Sequence, residues 1–233
     1  MSPRAPARVI VFARAPVPGR CKTRLVPALG RGGAAALHRK LVRRTLAAAH
    51  ASDGTVELWC APDASHGFFA TCRREFGVRL RRQPAGDLGR RMALALARTL
   101  REGTGVAVLV GSDCPVLTGR HFADALAALE GADCVLQPST DGGYVLIGAR
   151  RIERRALAGI AWSSGRELAQ THRRLARLGL SLSEAAPLMD IDTPRDYRKA
   201  RRGGLDPSDL WAQAHRERGA SPLRRRAARL NPC

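Results

Sequence analysis

Three short acidic motifs carry the residues of this chain best suited to chemistry: Gly111-Ser112-Asp113-Cys114-Pro115, Asp141-Gly142-Gly143-Tyr144 and Asp190-Ile191-Asp192-Thr193-Pro194. Each lies beside an apolar run that predicts a strand, and ligands of open α/β sheets collect outside the carboxyl ends of the strands. A magnesium-sized cation takes one or two carboxylates and leaves its other positions to water and substrate phosphates. The stretch Gly111–Pro115 follows the run Val106–Val110 and places Asp113 where a buried strand surfaces, which makes it the leading metal ligand. Asp190 and Asp192 alternate about Ile191, so on a strand both point to one face and can share a cation. Asp192 also precedes Thr193-Pro194, a helix start in which Asp192 or Thr193 serves as the cap. For each motif the alternative is an aspartate that only caps a turn or helix. Asp113 and Asp192 are the pair expected to hold Mg2+ or Mn2+.

The segment FARAPVPGRCKTRL, from Phe12 to Leu25, leaves another apolar run and gathers Arg14, Gly19, Arg20, Lys22, Thr23 and Arg24. Glycine lets backbone N–H groups approach an anion, and the basic side chains neutralise its charge, so the loop suits a polyphosphate. Lys22 stands out because the only other lysines are Lys40 and Lys199, and a lysine amid arginines supplies a compact point charge. The glycine spacing is neither that of a Walker A loop nor that of a dinucleotide fingerprint. A plain basic surface loop is the alternative. With the carboxylates, the expected chemistry is a cation held by Asp113 and Asp192 on the phosphates. Arg20, Lys22 and Arg24 then stabilise charge on the leaving group, with no covalent enzyme intermediate.

Other reactive residue types point elsewhere. Cys114 has no positioned base and reads as inert packing. The histidines His38, His50, His66, His121, His172 and His215 show no ligand spacing, and helix-surface roles suffice for them. Trp162-Ser163-Ser164 either caps the next helix or, through Trp162, walls an acceptor pocket. The six cysteines are scattered without paired metal-type spacing, which predicts free thiols.

Composition narrows the class. The formal net charge of +20 is compatible with a nucleic-acid partner, but aromatics make up only 4% and supply few stacking platforms. Dedicated nucleic-acid binding on a non-catalytic scaffold is therefore the outside reading, whereas attraction of anionic small molecules follows from charge alone. No apolar run approaches the ~20 residues of a membrane helix, and residues 1–8 lead into a strand without an apolar signal region. A soluble, cytoplasmic protein is expected.

The elements that position these motifs alternate. Strands are predicted at residues 9–13, 56–60, 78–82 as an edge, Val106–Val110 at the centre, 134–137, 144–147 and 180–182. Helices are predicted at residues 33–49, 65–76, Leu88–Arg101, 118–129, 165–178 and Pro194–Arg202. This is a doubly wound α/β domain with a mostly parallel sheet flanked by helices, since parallel crossovers are long and usually helical. It is expected to span residues 1–204, with residues 205–233 a basic, partly disordered C-terminal extension in which Trp211 can anchor a helix.

The series FARAPVPGRCKTRL, GDLGRRM, GSDCPVLT, DGGYVLIG, WSS and DIDTPRDY resembles a family of GT-A-type nucleotide-diphospho-sugar transferases associated with arsenosugar biosynthesis and with radical-SAM and selenium-domain genes. That family is similar to phospholactate guanylyltransferases and to the guanylyltransferase of molybdenum-cofactor synthesis. The resemblance implies that Arg20, Lys22 and Arg24 lie along nucleotide phosphates and that Asp87, Leu88, Gly89 and Arg91 line the nucleotide side of the cleft. It also implies that Asp113 and Asp192 hold the metal, and that Asp141, Gly142 and Gly143, with Tyr144, Trp162 and Ser163, form the acceptor or sugar side. Arg14 stands where the pattern often has lysine, and Gln137-Pro138-Ser139 replaces Gly-Pro-Ala. The implied activity is glycosyl transfer from a nucleotide-sugar to a small-molecule acceptor, with nucleotidyl transfer from a nucleoside triphosphate as the rival.

Overall fold

The structure, a computed structural model, describes residues 6–204. The expected C-terminal extension and Trp211 lie outside the described residues. Seven strands form one sheet in the order β3-β2-β1-β4-β6-β5-β7: β1 (Ala7–Arg14), β2 (Thr55–Ala61), β3 (Arg79–Arg82), β4 (Val106–Val110), β5 (Cys134–Pro138), β6 (Tyr144–Ala149) and β7 (Leu182–Glu184). Six helices flank it: α1 (Val26–His50), α2 (Gly67–Phe76), α3 (Leu88–Arg101), α4 (Gly119–Ala128), α5 (Glu167–Arg177) and α6 (Pro194–Arg202).

Period-2 alternation in β1 sets the two layers. Val9, Val11 and Ala13 face a core with Val42 and Leu46 of α1, Phe69 and Phe76 of α2 and Phe122 of α4. Ile10 and Phe12 face the other side, where Met92 and Leu96 of α3 pack with Leu157 and Ile160. The pairings β1–β2, β1–β4, β2–β3 and β5–β7 are parallel, while β6 runs antiparallel to β4 and β5. The antiparallel strand follows from the short Asp-Gly-Gly connection between β5 and β6, too short for a parallel crossover.

Chain direction across the sheet changes at β1, whose neighbours β2 and β4 both follow it in sequence. The loops after β1 and β4 therefore leave from a topological switch point, where α/β sheets open a crevice. Three expectations are corrected here. The last strand begins at Leu182, because Leu180 is instead buried with Leu175 and Cys134. Helix α1 starts earlier than expected, at Val26-Pro27, and bends at Gly30, whose φ of 68° and ψ of 168° are not helical. Asp190 to Asp192 form no strand but an extended strap leading into α6.

Candidate active site

The strap and the first loop meet through one apolar anchor. Ile191 is fully buried in a cluster with Leu25, Leu37, Leu41 and Ala200, joining the loop, α1 and α6. Its backbone N–H donates to Asp113 O at 3.0 Å, so the strap is laid across the end of β4. Burial of Ile191 turns the flanking Asp190 and Asp192 toward the cleft, which both residues line. Asp192 is spared from capping. Thr193 takes that role, its Oγ1 accepting from Asp196 N at 3.3 Å while Asp196 Oδ2 accepts from Thr193 N at 2.8 Å.

Lys22 closes the same junction. Its Nζ lies 2.8 Å from Asp113 Oδ1 and 2.8 Å from Asp192 Oδ1 and also donates to Ile191 O. An ammonium has three N–H donors, and these contacts use all of them. Lys22 holds φ 46° and ψ 43°, a left-handed backbone uncommon for a residue with a side chain and characteristic of functional loops. Its side chain is 5% exposed, whereas those of Asp113 and Asp192 remain 44% and 39% exposed. Burial pulls the Lys22 pKa down, but the two carboxylates outweigh it and hold it above the ordinary value. For Asp113, burial acts upward and is outweighed by the charges of Lys22 and His38, leaving its pKa below the usual carboxylate value. Asp190 makes no ion pair among the described residues: burial, then Asp141 and Asp192, push it up to about 7 against the weaker pull of Lys22.

Beyond the strand ends the crevice has two compartments. One, of about 330 Å³, is lined by Phe12, Leu88, Met92, Leu109, Tyr144 and Ile147 together with Arg14, Gln83, Arg91 and the three strap and β4 aspartates. The other, of about 470 Å³, is lined by Arg14, Arg20, Lys22, Thr23, Arg24, His38, Asp113, Ser163 and Asp192. The basic loop and the acidic pair thus face one another. Gly19, φ 78°, supplies the turn that brings Arg20 round.

Several expected residues do structural work instead. Asp87 caps α3 by accepting from Arg90 N at 2.8 Å, and a Cβ at Gly89 would run into Leu157 O and the Trp162 ring. Of the four residues expected there, Asp87, Leu88, Gly89 and Arg91, Leu88 and Arg91 line the crevice. Trp162 packs edge-on against Tyr144, centroids 6.0 Å apart, and the segment does not cap α5: the N-cap is Arg166, without a side-chain bond. Ser163 adopts φ 63° at the rim. The Asp141 turn is braced internally, Asp141 Oδ1 accepting from Ser139 Oγ and from Gly143 N at 3.0 Å, with Gly142 (φ 90°) pressed on the Gly165 carbonyl. Gln137 and Ser139, the departures from the family pattern, tie β5 to Ala186 O and orient Asp141.

His38 and Gln83 line the crevice without having been expected there. His38 is corrected from the helix surface to the interior: it is 5% exposed, its Nε2 bonds Arg14 O at 2.9 Å, and its Nδ1 has no partner among the described residues. Its spacing with Ala34, Leu41 and Val42 on one face of α1 carried that signal. Gln83 is buried, its Nε2 donating to Trp59 O at 2.9 Å and Ala13 O at 3.3 Å, which leaves Oε1 to accept from Arg91 Nη1 at 3.0 Å. No local pattern signals that role. Cys114 is buried and pushed up to about 12 by its burial, as inert packing requires. The described cysteines are free.

Among the described residues no group of three or more His, Cys, Asp or Glu gathers as metal ligands. The fit of a cation therefore rests on Asp113 and Asp192. In each the contact to Lys22 uses Oδ1 and the side chain is substantially exposed, so among the described residues the two Oδ2 atoms are left as hard oxygens beside a basic compartment. That donor set suits magnesium or manganese carried with phosphates.

No helix among the described residues is long and apolar enough to cross a membrane. No curated protein matches the chain. A crystal structure from Desulfovibrio desulfuricans G20, whose description assigns it provisionally to the nucleotide-diphospho-sugar transferases, is similar at 27% identity and a TM-score of 0.78, covering 94% of this chain and 97% of that one. A nucleotidyl transferase from Methanothermobacter thermautotroptrophicus shares the fold at 14% identity and a TM-score of 0.57, covering 85% and 97%. So does a CMP:2-keto-3-deoxy-manno-octonic acid synthetase complexed with CTP, at 14% identity and a TM-score of 0.52, covering 86% and 98%. The fold is thus the GT-A-like α/β type. Residues 44–164 match the family described as "Uncharacterized protein conserved in bacteria (DUF2064)", and the chain belongs to that family.

Proposed function

From this membership and fold, we propose that the protein is a metal-dependent transferase acting on a nucleotide-sugar donor and a small-molecule acceptor. The observation that carries the reading is the facing of Asp113 and Asp192 by Arg14, Arg20 and Arg24 across one polar compartment. Carboxylates alone repel phosphate, and arginines alone bind it without chemistry; together they suit a phosphate that arrives with a cation. Asp113 and Asp192 would hold a divalent cation, which when bound would neutralise charge on the leaving diphosphate. Arg20 and Arg24, which make no ion pair among the described residues, stabilise the same charge from the loop. The apolar floor of Phe12, Leu109 and Ile147, with Arg91 held by Gln83, receives the rest of the nucleotide. Tyr144, Ser163 and the Asp141 turn form the acceptor side.

Nucleotidyl transfer from a triphosphate is the second reading. It is favoured by the surplus of guanidinium groups at the site and by the nucleotidyl transferases that share the fold. A thermal-shift panel of nucleoside triphosphates and nucleotide-sugars, with and without Mg2+ or Mn2+, tests both, because a ligand stabilises the state it binds. Stabilisation by nucleotide-sugars above triphosphates, only with metal, supports the first reading. The reverse order supports the second, and no stabilisation by either class removes both.

A further inference from the structure

The sequence suggested that Lys22 grips phosphate, yet its three donors are all spent on Asp113, Asp192 and Ile191. We propose that Lys22 is the selectivity residue of the cation site: a resident ammonium that keeps the Asp113–Asp192 pair from holding a free divalent cation, so that the cation enters only with the nucleotide phosphates. The inference rests on the metal-dependent reading above.

The argument is one of charge. Without Lys22 the two carboxylates would present two negative charges within reach of a single point. With the ammonium 2.8 Å from an oxygen of each, that falls to one, and the fixed positive charge repels a second cation placed on the free oxygens. Because the ammonium is 5% exposed, water screens it little. A nucleotide changes the balance, since its phosphates add negative charge on the loop side, where Arg14, Arg20 and Arg24 receive them. The loss of a preorganising contact in a Lys22 variant opposes the gain from removing its charge. At separations of a few ångströms between a monovalent and a divalent cation, the Coulomb effect is the larger.

The test is Mn2+ binding to the nucleotide-free full chain, read by electron paramagnetic resonance of the free ion, for wild type, Lys22→Met and Lys22→Met/Asp113→Asn. Lys22→Gln, which keeps a polar amide at the junction, replaces Lys22→Met if the latter fails to fold by circular dichroism. The expected result is Mn2+ affinity at least about tenfold higher in the Lys22 variant than in wild type, with the gain removed by Asp113→Asn. A folded Lys22 variant that binds Mn2+ no more tightly than wild type overturns the inference, as does a gain that survives Asp113→Asn. Wild-type nucleotide binding, measured with Mg2+ and with chelator, separates the two failures. If it is metal-dependent, the role of Lys22 alone is wrong; if it is metal-independent and the variant does not bind Mn2+, the metal reading falls too.

Discussion

Two charge clusters in this molecule use similar residues to opposite ends. Toward the strand beginnings, Arg81 pairs with Glu57 at 3.0 Å and Glu102 at 2.6 Å, and Arg8 reaches the same carboxylates at 3.4 and 2.7 Å. Trp59 completes it, donating from Nε1 to Glu57 at 3.0 Å while the Arg81 guanidinium lies over its ring. Arg98 also reaches Glu102, at 3.2 Å, so three cations meet two anions, and Glu57 is 2% exposed. Beyond the strand ends, one ammonium meets two carboxylates that face a crevice, and Asp190 beside them makes no ion pair among the described residues. The first cluster is closed, each carboxylate in it held by at least two cations, and it fastens α3 to the sheet edge. The second is open and unbalanced, which is the condition for binding something else.

Breaking the closed cluster should have the largest effect on stability. Arg81→Met leaves the buried Glu57 with the Trp59 N–H and, among the described residues, only the longer ion pair to Arg8, and removing one partner of a buried pair costs about 3 kcal/mol. Chemical denaturation should show that loss, while the folded fraction keeps wild-type nucleotide affinity. A loss of affinity without a loss of stability would mean the two clusters are not separate in role. Gly89→Ala should rank next, at about 2 kcal/mol, because a methyl group there meets the Leu157 carbonyl and Trp162 in a packed layer. Unchanged unfolding of that variant would return Gly89 to the nucleotide side, where family resemblance alone had put it.

The smallest effect is the most diagnostic, since the clusters answer pH with opposite signs. Hydrogen bonding from Arg81 holds Glu102 down at about 2 against an ordinary 4.5, so its contribution is complete above pH 4.5 and fades as pH falls toward 2. Asp190 is held up at about 7 against 3.8, so the folded state is favoured below pH 3.8 and progressively loses that advantage as pH rises through 7. Asp190→Asn should therefore raise the melting temperature at pH 8, with the difference from wild type closing by pH 4. Equal melting curves for the two proteins at pH 8 would show that Asp190 carries no unmet charge.

The contrast also explains what could be seen in the sequence. Helices α3 and α6 and strand β4 were legible to the residue because their periodicity, caps and flanking turns agree locally. The place of Asp113 at the end of β4 was legible because it follows from local chain direction, whereas Asp192 reaches the same crevice from the strap and from no strand end. The destination of Lys22 was not, since its partners lie far along the chain and are brought to it only when Ile191 is buried. Gln83 escaped for the same reason: its amide answers carbonyls of two neighbouring strands. The burial of His38 is readable in its spacing within the apolar stripe of α1, with Ala34, Leu41 and Val42.

The claim on which the rest depends is that Asp113 and Asp192 make nucleotide binding depend on a divalent cation. Its most direct test is calorimetric titration of the nucleotide that most stabilises the protein, with excess Mg2+ and with chelator, into wild type and Asp113→Asn of equal circular dichroism. The account predicts tighter binding with Mg2+ in wild type, and in Asp113→Asn an affinity at least about a hundredfold weaker that no longer responds to the metal. A folded Asp113→Asn protein that keeps the full metal-dependent affinity would contradict it.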